Sequence, residues 1–186
     1  MLIRITLIGL LLAPVVGWAF YKPMRVLDPE WNEVTCVSEE VCVEDLARAE
    51  EANSIYELAL SFVNSSVGAI HNKPRATFCS SAKCFEAFGF RAPAKAKTVG
   101  VSGIVIGPAG WNEFILRHEI IHHLQSEQLG VIGQWLRPNW FKEGMAYSLS
   151  EDPRQLVEPL SKYREEFDSW HQRVGKERLW KEAKKL

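Results

Sequence analysis

The sequence predicts an α+β fold in which one small sheet lies between two helical regions. Apolar residues recur with helical spacing from residue 44 to 70 and again from residue 111 onward. Short segments rich in apolar and β-branched residues lie between these regions, bounded by glycine, proline or serine. The chain has 186 residues, 47% of them hydrophobic and 24% charged, which suits one globular domain. Strands placed between blocks of helices are typical of the α+β class.

Residues 1–19 have the layout of a secretory signal, in which an apolar run is followed by Gly17-Trp18-Ala19 at the expected cleavage point. The alternative is an uncleaved anchor, because Ile5–Tyr21 reaches the lower limit of length for a membrane span. Both interpretations predict that residues 20–186 form a single domain outside the cytoplasm, either periplasmic or secreted. The anchor alternative attaches this domain to a membrane through residues 1–21.

The four cysteines fit the same compartment. Cys36 and Cys42 are close in sequence, as are Cys79 and Cys84. An even number of cysteines in an exported chain favours disulfides, and the simplest of the three connectivities joins each close pair. The loose spacings argue against a structural zinc site at the cysteines. The 22 basic and 23 acidic residues give a net charge of −1, so we expect no nucleic-acid partner.

Four elements are predicted before the middle of the chain. Phe20–Glu33 contains two prolines and is expected to be an extended lead-in. Glu44–Ile70 has a broad apolar helical face and predicts a long helix that covers one side of the core. Arg75–Ser80 predicts a strand, and Lys83–Phe88 predicts a short helix after the cysteine-bounded turn.

The middle of the chain predicts a hairpin. Pro93–Lys97 has the composition of a basic loop. Thr98–Val101 and Ile104–Ile106 predict two short strands joined by a tight turn at Ser102-Gly103. The segment Gly107–Gly110, with glycine at both ends and an internal proline, ends the hairpin and separates it from the next helix.

The remainder of the chain is predicted to be helical. Trp111–Gln128 forms the first helix, with Asn112 as its N-terminal cap. Trp135–Asn139 is expected to be a connection, and Trp140–Ser150 the next helix. Pro153–Lys185 is mainly helical by pattern, with a break at its internal glycine.

The motif that carries chemistry is His118-Glu119-Ile120-Ile121-His122. Residues four apart on a helix share one face, so both imidazoles can reach one zinc ion. Glu119 projects toward the side, where it can meet a water molecule held by the metal. The apolar residues around the motif predict a buried helix, and two histidines and a glutamate without partners would be costly there. A bound metal removes that cost.

A third ligand is expected because catalytic zinc takes three protein ligands and leaves a fourth position for water. Glu143 interrupts the apolar helical segment Trp140–Ala146. The 20 residues between His122 and Glu143 allow the chain to leave the first helix, turn and return along a second. Glu143 would then face the two histidines across the helix pair.

His118-Glu119-x-x-His122 followed by Glu143 resembles the gluzincin branch of the zincin metallopeptidases, which includes thermolysin-like enzymes and one-zinc aminopeptidases. The segment Trp140–Ala146 is similar to the W-x-x-E-G-x-A form around the glutamate in many gluzincins. The resemblance covers residues 96–152 only. It implies a zincin-like minimal catalytic domain, in which a small β-sheet packs on an active-site helix and N- and C-terminal helices are added.

The resemblance implies that one Zn²⁺ per chain is bound by His118, His122 and Glu143, with Glu119 as general base. The expected reaction is hydrolysis of a peptide bond by a zinc-activated water. One further donor to the developing oxyanion is expected, and its candidates are Tyr147 and His171. Tyr147 lies one helical turn after Glu143 and could instead support that ligand. Thermolysin-like enzymes often carry an aspartate at this place to orient the first histidine, so the sequence departs from that subgroup, and Asp152 or Glu151 could substitute.

The resemblance also implies that the strand Ile104–Ile106 lies at a sheet edge and pairs with an extended peptide or protein substrate. No pattern for gripping a free amine is visible, which favours an endopeptidase. Two alternatives stay open: a zincin-fold protein that binds zinc or a peptide without turnover, and a structural envelope protein with a fortuitous motif. Zinc content and peptide cleavage distinguish them.

Overall fold

The computed structural model describes residues 22–186. The predicted leader, residues 1–19, and the anchor alternative, Ile5–Tyr21, therefore lie outside the described residues. The helices of the described range are α1 (Ala49–Ser66), α2 (Ala82–Ala87), α3 (Glu113–Leu129), α4 (Val131–Leu136), α5 (Asn139–Leu149), α6 (Leu160–Val174) and α7 (Leu179–Ala183). Its strands are β1 (Thr35–Cys36), β2 (Val41–Val43), β3 (Ala76–Phe78), β4 (Ala96–Val99) and β5 (Gly103–Ile106). The predicted α+β class is confirmed.

The five strands form one mixed sheet in the order β1-β2-β3-β5-β4. The three central strands run parallel, and β1 and β4 pair antiparallel at the two edges. The expectation that Ile104–Ile106 forms an edge strand is wrong, because β5 lies between β3 and β4. The edge beside the HExxH helix is β4.

Each face of the sheet covers its own hydrophobic core. Ile104 and Ile106 belong to the main core, which also contains apolar residues of α1, α3 and α5. Val105, between them, belongs to a smaller core on the other face, with Phe85 and Phe88. This division follows from the alternation of side chains along a strand.

Helix α3 is buried around much of its circumference, with 10 of its 17 residues buried. The side-chain oxygen of Asn112 accepts a hydrogen bond from the backbone N–H of Phe114 at 3.1 Å, as the predicted N-terminal cap requires. Gly130, with a φ of 75°, ends the helix. Because most of α3 is buried, a polar group on its buried surface needs an internal partner.

Several predicted elements differ from the structure. The lead-in is not extended, since Lys22–Leu27 and Pro29–Asn32 are 3-10 helices. Strands β1 and β2 and helix α4 were not predicted, because each is too short for its periodicity to be visible. The first hairpin strand begins two residues earlier than predicted, at Ala96, within the expected basic loop. Residues 153–159 precede α6 and are not helical.

Two disulfides form, Cys36–Cys42 and Cys79–Cys84, as the simplest connectivity predicts. Cys42, Cys79 and Cys84 are buried in the smaller core, so the bridges form part of that core as well as closing local loops. Two disulfides indicate an oxidising environment outside the cytoplasm. Within residues 22–186, no helix is both long and apolar enough to cross a membrane.

Candidate metal centre

Three donor atoms from two helices converge on one point. His118 and His122 lie one turn apart on α3, and their Nε2 atoms are 3.1 Å apart. The Oε2 atom of Glu143, on α5, lies 3.6 Å from each of these nitrogens. The structure therefore brings together the three residues that the sequence predicts as zinc ligands.

The separations fit a tetrahedral zinc site. Zinc–nitrogen and zinc–oxygen bonds of about 2.0–2.2 Å in a tetrahedron place the ligand atoms about 3.3–3.5 Å apart. The observed separations are 3.1, 3.6 and 3.6 Å. Two imidazoles and one carboxylate also form a ligand set that zinc takes in catalytic sites. By geometry and by chemistry, the residues present fit a zinc ion.

The orientation of His122 is fixed by a buried amide. The Nε2 atom of Gln125 donates to the backbone carbonyl of Lys142 at 3.0 Å, so its Oε1 atom faces the Nδ1 atom of His122, also at 3.0 Å. An amide oxygen only accepts, and therefore Nδ1 of His122 carries the proton. In the neutral ring, Nε2 is then unprotonated and presents a lone pair to the point where the donors converge. Lys142 precedes Glu143, so the same amide links the two ligand helices.

His118 is held by packing rather than by a comparable hydrogen bond. Its Nδ1 atom is buried and has no hydrogen-bond partner within residues 22–186. The ring of Tyr147 packs edge-on against the His118 ring, with 4.4 Å between centroids. Asp152, an acidic residue that could have oriented this histidine, is buried and forms an ion pair with the partly exposed Arg154. The two histidines thus differ in their surroundings.

Glu143 is positioned by the contact between α5 and α6. The next residue, Gly144, faces the backbone of α6 so closely that an added Cβ would lie 2.2 Å from the carbonyl oxygen of Tyr163 and 2.8 Å from Cβ of Phe167. Only glycine permits this approach. The glycine of the Trp140–Ala146 segment therefore has a packing role that its sequence pattern did not reveal.

The charges at the centre favour ionised Glu143. Burial alone would raise the pKa of this carboxyl group, but the interaction with the His118 and His122 imidazoles, each 3.6 Å from Oε2, outweighs burial and holds the pKa well below its usual range. Burial lowers the pKa of His122, but the Glu143 carboxylate and then Glu119 raise it by more. Glu143 is therefore in the charged form that metal coordination requires.

Glu119 is buried beside the donor set, with 6% of its surface exposed. The hydroxyl oxygen of Thr98, on β4, lies 2.7 Å from Oε2 of Glu119 and 2.8 Å from the backbone carbonyl oxygen of the same residue. A hydroxyl has one proton, so it donates to only one of these acceptors at a time. Thr98 was not singled out from the sequence, because nothing local indicates that its strand crosses α3 at Glu119.

Tyr147 lines the same cavity as Glu119, Glu143 and Arg154. Burial, and then the Glu143 carboxylate, raise the pKa of Tyr147, so its hydroxyl keeps its proton at neutral pH and can donate a hydrogen bond. His171, the other predicted donor, lies on α6 with its ring stacked on Phe167 and does not line the cavities at the centre.

The candidate metal centre opens on two sides. One cavity, of about 160 Å³, is polar and is lined by Lys95, Tyr147 and Arg154. The other, of about 200 Å³, reaches toward Gln134 and Trp135 on α4. Glu119 and Glu143 border both cavities. A substrate could therefore extend from the centre in two directions.

The open edge of β4 runs past Glu119. In an antiparallel pair, alternate residues exchange both backbone hydrogen bonds with the partner strand. The N–H of Gly107 donates to the carbonyl of Lys95 at 2.8 Å, and Lys97 lies opposite Val105. Lys95 and Lys97 therefore bond to β5, whereas the N–H and C=O groups of Ala96 and Thr98 point away from it toward the open edge.

A second group of potential ligands, Glu44 with Cys79 and Cys84, does not offer a comparable site. Both cysteines are in a disulfide and cannot supply thiolates. The Glu44 carboxylate already accepts hydrogen bonds from the backbone N–H groups of Ser80 and Ser81, each at 2.7 Å.

Comparison with known proteins gave no family assignment. Neither a family model, a curated protein nor a solved structure matches the chain.

Proposed function

We propose that the chain is a zinc-dependent peptidase that hydrolyses peptide bonds with Glu119 as general base. The observation that carries the proposal is the convergence of the His118, His122 and Glu143 donor atoms at 3.1–3.6 Å, beside a buried glutamate. A structural zinc site is closed by four protein ligands, whereas a catalytic site keeps one position open. The centre has three protein donors and two openings, which favours a catalytic zinc site over a structural one.

When bound, zinc supplies Lewis acidity, which lowers the pKa of a water molecule and polarises a carbonyl group. The Glu119 carboxylate accepts the proton of the attacking water and passes it to the leaving nitrogen. The Tyr147 hydroxyl stays protonated and lines the same cavity, so it donates to the oxygen that gains charge.

Thr98 suits both protonation states of Glu119. While Glu119 is ionised, the Thr98 hydroxyl donates to its carboxylate at 2.7 Å. When Glu119 carries a proton, the hydroxyl can rotate to donate to the backbone carbonyl at 2.8 Å and accept from the carboxylic acid. The same contact therefore keeps Glu119 oriented before and after proton transfer.

The open edge of β4 is suited to hold an extended peptide. The free N–H and C=O groups of Ala96 and Thr98 can pair with a substrate backbone, as in strand addition. Because the side chain of Thr98 contacts Glu119, a peptide bound at this edge passes close to the general base. In this proposal β4 takes the role that the resemblance to gluzincins had implied for Ile104–Ile106.

We propose that the protein is exported from the cytoplasm. The two disulfides require an oxidising compartment, and residues 1–19 have the pattern of a cleaved signal. Periplasmic or secreted localisation is part of this proposal, with attachment to a membrane through residues 1–21 as the alternative.

The decisive experiment compares the wild-type protein with Glu119→Gln and with Glu113→Gln, the same change at a partly exposed position in the first turn of α3, away from the donor set. We expect about one zinc per chain in all three, measured by mass spectrometry of the metal. Cleavage of a quenched fluorescent peptide library should fall by about 10²–10⁴-fold in Glu119→Gln only, because general-base catalysis contributes about that factor. A chelator should abolish wild-type activity.

The outcomes separate the alternatives. Full activity in Glu119→Gln would show that this glutamate is not the base. Zinc without cleavage would indicate a binding protein, and wild-type protein without zinc would leave the motif fortuitous.

A further inference from the structure

An apolar groove begins where the second cavity of the metal centre ends. The groove has a volume of about 480 Å³ and lies between the β4–β5 turn and helix α4. Its apolar walls include Val101 from the turn and Val131, Ile132 and Trp135 from α4. These side chains are 48–74% exposed, which is unusual for large hydrophobic residues grouped on one surface.

The groove is continuous with the metal centre. Four residues line both the groove and the cavity that contains Glu119 and His122, namely Thr98, Gly100, Gln134 and Trp135. Gly100, which lines the groove, has a φ of 53°. A Cβ atom added at this residue would lie 3.3 Å from the side chain of Val131. A glycine at this position lets the β4–β5 turn approach α4 closely, so the two elements form the sides of one groove.

Helix α4 is also tied to the ligands. Lys142, next to Glu143, donates from Nζ to the carbonyl of Trp135 at 3.1 Å. The Nε2 atom of Gln134 donates to Oε1 of Gln125, the amide that orients His122, at 3.5 Å. The apolar wall of the groove thus has a fixed position relative to the donor set.

We infer that this groove is a substrate subsite that selects a large apolar side chain close to the scissile bond. The inference rests on the proposed peptidase function. A peptide on the β4 edge that passes Glu119 at Thr98 reaches Gly100 about two residues further along, because strand residues rise about 3.3 Å each and alternate side chains share a face. The side chain at that point enters the groove.

The opposite opening differs in chemistry. Its cavity of about 160 Å³ is a third of the groove's volume and is lined by the charged residues Lys95 and Arg154. A large aliphatic or aromatic residue gains little there, since charged groups would lose solvation. The proposed enzyme therefore selects for a large apolar residue on only one side of the scissile peptide bond.

The test profiles cleavage of a peptide library by mass spectrometry with wild type, Ile132→Asp and Val157→Asp. Ile132 and Val157 are matched in exposure, at 74% and 73%, but Val157 does not line the groove. We expect wild-type cleavage sites to be enriched in Leu, Ile, Phe or Met at one fixed position on one side. Ile132→Asp should lower kcat/KM for such peptides about tenfold, with little change for peptides carrying serine there. Val157→Asp should behave as wild type.

A binding assay keeps this inference separate from the proposed reaction. Fluorescence anisotropy with Glu119→Gln protein measures binding of a labelled leucine-containing peptide and its serine counterpart. Cleavage without side-chain preference would overturn the subsite and leave the peptidase. Preferential binding of the leucine peptide that Ile132→Asp abolishes, without cleavage by wild type, would support the subsite and overturn the reaction. If the protein showed no peptide binding and no cleavage, both the subsite and the peptidase function would be overturned.

Discussion

Helices α3 and α5 both supply donors to the candidate metal centre, but they are fixed by different means. Helix α3 is embedded in the main core, and its two histidines are aligned by the geometry of one helix. Helix α5 carries Glu143 at the cleft, with 33% of its side chain exposed. Its position depends on α6 through Gly144 and on α3 through the Gln125 amide. The histidine pair is thus a local feature, whereas the complete donor set is a tertiary one.

The largest effect that tests this comparison is expected for Glu143→Ala. Without the Glu143 carboxylate, only the two histidine nitrogens remain as protein donors. Zinc affinity should therefore fall by more than the ~100-fold that is typical when a residue orienting a metal ligand is substituted. The dissociation constant can be measured by competition with a chromophoric chelator. The fold should persist, since α3 holds the core. Unchanged zinc affinity would remove Glu143 from the donor set and leave α5 without a role in binding.

Gly144→Ala tests how α5 is held. The new Cβ would overlap the α6 backbone at Tyr163, and relieving this overlap should lower the free energy of unfolding by about 3 kcal/mol. Urea denaturation of the metal-free protein measures this change. Gly133→Ala on α4 is the matched control, because its Cβ would meet only Leu129 at 3.7 Å, an ordinary contact. Equal stability of the two variants would show that α5 does not depend on this close approach.

Gln125→Leu tests the link between the two helices. The substitution keeps the side chain's approximate size but removes the acceptor for His122 and the donor to Lys142. Substitutions of groups that orient metal ligands cost about 10–100-fold in affinity, so zinc binding should weaken by that factor. The imidazole ¹⁵N shifts of His122 should also lose their single-tautomer pattern. Wild-type affinity with an unchanged tautomer would show that packing alone orients His122.

The predictable features were those with a local cause. Three such features are the apolar periodicity of α1, the Asn112 cap and the HExxH spacing. Each depends only on residues that are close together in the chain, so each can be recognised from the sequence. The two disulfides were predictable for the same reason, because each pair is close in the chain. The edge strand was misassigned because strand order depends on contacts between distant segments, and a buried four-residue run does not reveal its neighbours.

The sequence by itself determined that His118 and His122 share a helix face, that Glu119 stands beside them, and that Glu143 follows on a second helix. Only the tertiary structure decided that the three donor atoms lie 3.1–3.6 Å apart, because that distance depends on how α3, α5 and α6 pack. It also decided the partners of these residues, since Thr98 and Gln125 act through contacts between elements. A helix fixes the spacing of its own side chains, and packing between helices and strands completes the site.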